Sequence, residues 1–166
     1  MPGRTAILSH EQVQRKLRRI AHQLHEEFHQ EKGITLVGVA PRGALLAERL
    51  GALLEEISAL KVARADLVLD KDKPLQGPVR LTIEPKELKG RVTVLVDDVL
   101  MSGRTLMHAA GHLMQAGPKR LTTVVLVDRR HRLFPIRADI AGLTLSTTLQ
   151  EHISVELGRE DAVYLS

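Results

Sequence analysis

Val13, Leu17, Ile20, Leu24 and Phe28 recur at spacings of three and four, the apolar stripe of an amphipathic helix. Ser9, followed three residues later by Gln12, forms a capping-box start, and Gly33 marks the end. Arg15, Lys16, Arg18 and Arg19 fall on the other side, where a solvated face accounts for them. The period then changes. Residues 34–39, Ile-Thr-Leu-Val-Gly-Val, form a short and mostly apolar run, the pattern of a buried strand. Ala40-Pro41-Arg42-Gly43 breaks it, and Leu45, Leu46, Leu50, Leu53 and Leu54 restore helical spacing. Residues 62–69 predict another strand. Residues 70–78, polar and interrupted by two prolines and a glycine, predict a mobile loop, with residues 79–83 returning as a strand.

Residues 92–96 predict a central strand, residues 105–115 a helix stopped by Gly117-Pro118, and residues 121–127 a further buried strand rich in β-branched side chains. Residues 153–157 and 162–165 read as short edge strands. Strands alternating with helices imply right-handed crossovers. The expected fold is α/β, a mostly parallel central sheet flanked by helices, in one domain spanning residues 1–166.

Composition narrows the chemistry. A chain of 166 residues with 43% apolar and 27% charged residues suits one soluble core. The absence of cysteine removes disulfides, thiolate metal sites and a cysteine nucleophile, and fits a reducing cytoplasm. No apolar run reaches membrane-spanning length, so no membrane partner is expected. A net charge of +4 favours anionic partners, phosphorylated metabolites or nucleic acid. With only Phe28, Phe134 and Tyr164 as aromatics, base-stacking platforms for single strands are scarce. The eight histidines are scattered without zinc-ligand spacing.

The stretch "VLVDDVLMSGRT", residues 94–105, carries the candidate chemistry. Asp97 and Asp98 follow an apolar strand, although adjacent carboxylates repel and are costly to bury. Ligands of parallel sheets sit beyond the carboxyl ends of the strands. The turn Met101-Ser102-Gly103-Arg104-Thr105 opens a helix whose N-terminal amides favour phosphate, with Ser102 and Thr105 as hydroxyl donors. Acceptors for a diol thus adjoin a phosphate cradle, which suits a ribose 5-phosphate. Neither a Walker loop nor a dinucleotide fingerprint occurs.

"VTVLVDDVLMSGRT" resembles the phosphoribosyl pyrophosphate (PRPP) motif of type I phosphoribosyltransferases. "ILSHEQVQRKLRRIAHQL", "LVGVAPRGALLAERL" and "VVLVDRRHRLFPIRADIAG" are similar, in order, to the PyrR family of pyrimidine-operon attenuators that double as uracil phosphoribosyltransferases, over roughly residues 7–157. The resemblance implies transfer of ribose 5-phosphate from PRPP to a nucleobase, uracil foremost, giving UMP and pyrophosphate. It also implies Mg2+ carried by PRPP, a homodimer or homotetramer, and RNA as a second partner. Carried over, Asp97 and Asp98 hold the diol, Met101, Ser102, Gly103, Arg104 and Thr105 hold the 5′-phosphate, and Arg42 and Gly43 belong to the pyrophosphate loop. Residues 69–79 form a flexible hood. Val127, Asp128, Arg129 and Arg137 line the base side, a small subdomain.

Some positions depart from the pattern. Met101 stands where purine-using relatives carry a proton-handling aspartate, and a thioether transfers no proton. Pro41 replaces the usual threonine, and the hood keeps Asp70 and Asp72 without the usual arginine-aspartate pair. The resemblance predicts a cis peptide at Pro41–Arg42. Arg129, Arg130, His131 and Arg132 form a basic patch suited to an anion, a base or plain solvent. The rival functions are an RNA-binding regulator, or a nucleotide sensor with weak or no catalysis.

Overall fold

The computed structural model describes residues 3–166. Its first helix, α1 (His10–Phe28), begins as its sequence predicts: Ser9 Oγ accepts from the Gln12 amide while Gln12 Oε1 accepts from the Ser9 amide. Val13, Leu17, Ile20, Leu24 and Phe28 are all buried, each contributing on the order of 1.5–3 kcal/mol through burial. The stripe is therefore spent inside the chain and offers no face to a second subunit. Gly33 opens a strand rather than closing this helix, which ends at Phe28.

The principal sheet comprises β2 (Gly33–Val39), β3 (Lys61–Val68), β4 (Arg80–Leu81), β5 (Val92–Leu100), β6 (Arg120–Asp128) and β7 (Ile140–Thr144), in the order β4-β3-β2-β5-β6-β7. All pairs are parallel except β3 with β4. The central strands are apolar on both sides because both faces are covered. On one face Leu36, Val94, Val96 and Leu126 pack with α1 and α2 (Arg42–Ile57). On the other, Val37, Val39, Leu95 and Val125 pack with Leu106, Ala109 and Leu113 of α3 (Arg104–Met114).

Several elements differ from their sequence patterns. The central strand continues past Val96 to Leu100, because Asp97, Val99 and Leu100 still pair with β6. The predicted strand at residues 79–83 shrinks to Arg80–Leu81 beside Pro78. β7 has no counterpart among the predicted strands, because Gly142 and alternating burial dilute its apolar signal; a Cβ at Gly142 would lie 2.6 Å from the Leu126 carbonyl oxygen. The two tail strands do not edge the main sheet. β8 (Ile153–Glu156) and β9 (Ala162–Leu165) join β1 (Thr5–Leu8) in a separate antiparallel sheet, order β1-β9-β8. Buried Asp161 fixes that small sheet, accepting from Gln14 of α1 and Arg49 of α2 while its amide donates to His10 Nδ1.

Candidate active site

The chain reverses its winding between β2 and β5. From β2 it crosses to β3 on one side, whereas from β5 it crosses to β6 on the other. The loops that leave those two strands diverge and open a crevice at the carboxyl edge. Arg42, leaving β2, and Asp98, on β5, meet across it with Nε 2.8 Å from Oδ2.

The acid pair is deeply set, Asp97 2% and Asp98 5% exposed. Burial first, and the neighbouring Asp98 second, push the Asp97 carboxyl up to about 7 against the pull of Lys71. Burial opposes ionisation of Asp98 as well, but Lys71, the hydrogen bond with Asp97 and Arg42 together hold its carboxyl below the usual range. Asp97 is thus the member of the pair that takes up a proton first as the pH falls, and Asp98 the one kept ionised. Asp97 Oδ1 also accepts from the Asp98 amide at 2.9 Å.

The pyrophosphate-loop candidate is very short. Val39 ends β2, and α2 starts at Arg42 with no side-chain cap among the described residues. Its first amides and the helix dipole therefore face the crevice. The cis bond is Ala40–Pro41, one step before the expected Pro41–Arg42 bond, in keeping with the small cis cost of a tertiary amide. Gly43 permits a close approach to β5: a Cβ there would lie 2.6 Å from the Val96 carbonyl oxygen and 3.0 Å from Asp97 Cα.

The phosphate-turn candidate forms as expected. Gly103 takes φ +88° as N-cap of α3, and a Cβ there would press Ile136 at 2.8 Å. The Arg104 amide donates to Ser102 Oγ, and the Ser102 carbonyl accepts from the Leu133 and Phe134 amides. Thr105 is half-buried in the first turn. The Arg104 side chain leans over the Phe134 ring, 5.8 Å from its centroid, so its backbone alone belongs to the turn.

The base-side residues separate. The Val127 side chain is buried in the core, and Asp128 Oδ1 accepts from the Arg130 amide. Arg129 is buried at the site, its Nη1 2.9 Å from Met101 Sδ and its Nε 3.0 Å from Thr147 Oγ1. Its Nη2 donates to the carbonyls of Thr148 and Glu151. His131 is tied to Thr147 as well. Two members of the basic patch thus hold the segment after β7 rather than waiting for an anion. Arg130 sits at φ +61°, an uncommon left-handed conformation for a side chain of its size. Arg137 is not part of this assembly. Its carbonyl accepts from Thr123 Oγ1, four residues upstream of Val127 on β6, and its exposed guanidinium reaches only towards Asp139 at 3.9 Å.

Thr147, Thr148 and Glu151 carry no sequence signal, and Lys71 carries none beyond its place in the 69–79 hood. Lys71 Nζ lies 3.1 Å from Asp97 Oδ1 and 3.5 Å from Asp98 Oδ1. Among the described residues no group of three or more His, Cys, Asp or Glu side chains is placed to hold a metal ion. Asp97 and Asp98 offer hard carboxylate oxygens, the donor type that Mg2+ prefers.

Residues 3–158 match the phosphoribosyl transferase domain family. The chain is 39% identical to the "Bifunctional protein PyrR" of Chloroflexus aurantiacus, covering 98% of this chain and 93% of that protein. It is 40% identical to the protein of the same name from Streptomyces coelicolor, covering 93% and 84%. Among solved structures, the hypoxanthine phosphoribosyltransferase of Trypanosoma cruzi superposes with a TM-score of 0.77 at 16% identity, covering 96% of this chain and 95% of that one. A hypoxanthine-guanine phosphoribosyltransferase from Bacillus anthracis gives 0.70 at 23% identity, covering 85% and 82%. These two likenesses concern the fold.

Proposed function

Since the chain belongs to the phosphoribosyl transferase domain family, we propose that it transfers ribose 5-phosphate from PRPP to uracil, releasing pyrophosphate and forming UMP. One observation carries this reading: Arg42 and the acid pair meet at the switch point of the sheet, 2.8 Å apart, beside the amide-rich start of α3. In transfer, the bond from the ribose anomeric carbon to pyrophosphate breaks, a bond to the base nitrogen forms, and the proton lost from that nitrogen passes to the departing pyrophosphate. Asp97 and Asp98 accept from the ribose hydroxyls and favour the positive charge that develops on the ring. The amides of residues 103–105 and the hydroxyls of Ser102 and Thr105 hold the 5′-phosphate. Arg42 and the amides at Gly43 orient the departing anion. Mg2+, when bound, adds positive charge to the leaving oxygens. Met101, held against Arg129, bounds the base side with a thioether, which disfavours a base that needs a proton transferred at this position.

Residues 1–166 act in this reading as one cytoplasmic transferase domain. Among the described residues no helix is long and apolar enough to cross a membrane. Pyrophosphate release should appear with PRPP, Mg2+ and uracil and be at least tenfold slower with hypoxanthine or guanine. Release with a purine alone would sink the base assignment.

A second reading, regulation of pyrimidine genes through RNA, draws on α1. Lys16 and Arg18 have no side-chain partner among the described residues, while Arg15 faces Glu11 and Arg19 donates to the carbonyls of Ala141 and Gly142. Association as a homodimer or homotetramer belongs to the same proposal, using a surface other than the buried stripe of α1. Light scattering at micromolar concentration should give two or four times the 18.4 kDa chain mass, and a monomer would refute it.

A further inference from the structure

The polar segment between β3 and β4 is more ordered than its composition suggests, and its order serves one side chain. Asp70 Oδ1 accepts from the amides of Asp72 at 2.9 Å and Lys73 at 3.1 Å, and the Gln76 amide donates to the Lys73 carbonyl at 3.0 Å. Leu69 and Pro74 are buried on either side. This small turn projects Lys71 onto the acid pair, where its ammonium bridges both carboxylates. Arg42 approaches Asp98 through the other carboxylate oxygen. Two cations therefore close over two buried acids.

The oxygens that Lys71 engages are those a ribose diol needs. Asp97 Oδ1 already accepts from the Asp98 amide as well as from Lys71, which fills both of its lone pairs, so a ribose hydroxyl reaches that oxygen only by displacing the ammonium. Lys71 is about one-third exposed, so water can take it up when it leaves. Leu75, 83% exposed, and the outward Lys73 show that the rest of the turn has few anchors. Loss of the ammonium contact removes the strongest one.

We propose that Lys71 is an exchangeable counter-ion that clasps the residue 70–78 segment to the acid pair and is evicted when a ribose diol seats. The displacement half rests on the transferase reading above; the clasp itself does not. Eviction couples occupancy of the site to release of the segment, which then moves independently over the crevice. A neutral side chain of similar length would leave the segment loose whether or not the site is filled.

Hydrogen–deuterium exchange across residues 69–79 tests the clasp, with ribose 5-phosphate plus Mg2+ as the probe. That probe has the diol but no pyrophosphate, so a role for Lys71 at the leaving group does not confuse the result. Lys71→Met should speed exchange at least fivefold without ligand, Lys71→Arg should restore most of the protection, and saturating probe should speed exchange in the unsubstituted protein. The Met variant should also bind the probe severalfold tighter by calorimetry at pH 8. Unchanged exchange in Lys71→Met overturns the clasp, and slower exchange on adding probe overturns eviction. Faster exchange in Lys71→Met with no binding of the probe or PRPP to either protein upholds the clasp and sinks the transferase reading instead.

Discussion

Replacing Asp97 and Asp98 together by asparagine is expected to abolish PRPP binding while leaving the fold in place. Each carboxylate would accept a charge-assisted hydrogen bond from the diol, about 1.5–3 kcal/mol apiece, so affinity should fall by roughly 10²–10⁴-fold. Calorimetry with PRPP and Mg2+ reads this directly, and unaltered affinity would remove the acid pair from the ribose site. The single change Asp97→Asn isolates a second effect. Because the folded protein raises the Asp97 carboxyl from 3.8 to about 7, the stability it contributes is fully present below pH 4 and is lost as pH rises through 7. Asp98, held low, acts oppositely: its contribution is present above pH 4 and lost in acid. Between pH 5 and pH 8.5 the ligand-free protein should therefore lose stability, and Asp97→Asn should lose less, by a difference on the order of 1–3 kcal/mol. Thermal melts at the two values would show it. Parallel curves would mean that Asp97 ionises normally.

The same pair shows what a sequence can and cannot disclose. Strand-period runs around Val37, Leu95 and Val125 and the helical stripe of α1 announce the parallel sheet, because two-sided burial leaves a continuous apolar signal. The turn from Met101 to Thr105 is equally legible, since backbone demand at Gly103 and amide supply at α3 are local properties. Lys71 is different. Its pairing with Asp97 spans 26 residues and depends on β3 and β5 flanking β2 in the sheet, a tertiary fact that no local spacing encodes. Arg129 fails in the other direction. It reads as a free cation in a basic run, yet burial obliges it to find the carbonyls beyond β7, a strand whose own signal was weak. Arg137 follows it closely in sequence but is carried upstream along β6 by the bond from Thr123 to its carbonyl. Residues carried by a local motif, such as Asp97, Asp98 and the turn after them, could be read; the partners of Lys71 and Arg129, which lie far off in sequence, could not.

Gly43 offers the sharpest steric test of the crevice. A methyl group at that position would stand 2.6 Å from the Val96 carbonyl oxygen, 3.0 Å from Asp97 Cα and 3.3 Å from Asp97 Oδ1. Two of these neighbours are backbone of the central strand, so α2 and β5 must move apart. The movement separates Arg42 from Asp98 at the contact that, in the proposed function, joins the leaving-group side to the ribose side. Misplacement of catalytic groups by about 1 Å can cost 10²-fold in rate, and overpacking of a tight contact typically costs about 1–3 kcal/mol. Gly43→Ala should therefore reduce pyrophosphate release by at least about 10²-fold and lower the melting temperature modestly. Gly111→Ala is the control. Gly111 is exposed within α3, nothing lies within 4 Å of its added Cβ, and the change should stabilise the protein by up to about 1 kcal/mol with turnover kept. If Gly43→Ala turns over like the unsubstituted enzyme, Arg42 and the acid pair do not work as one unit, and the crevice between β2 and β5 is not where the reaction takes place.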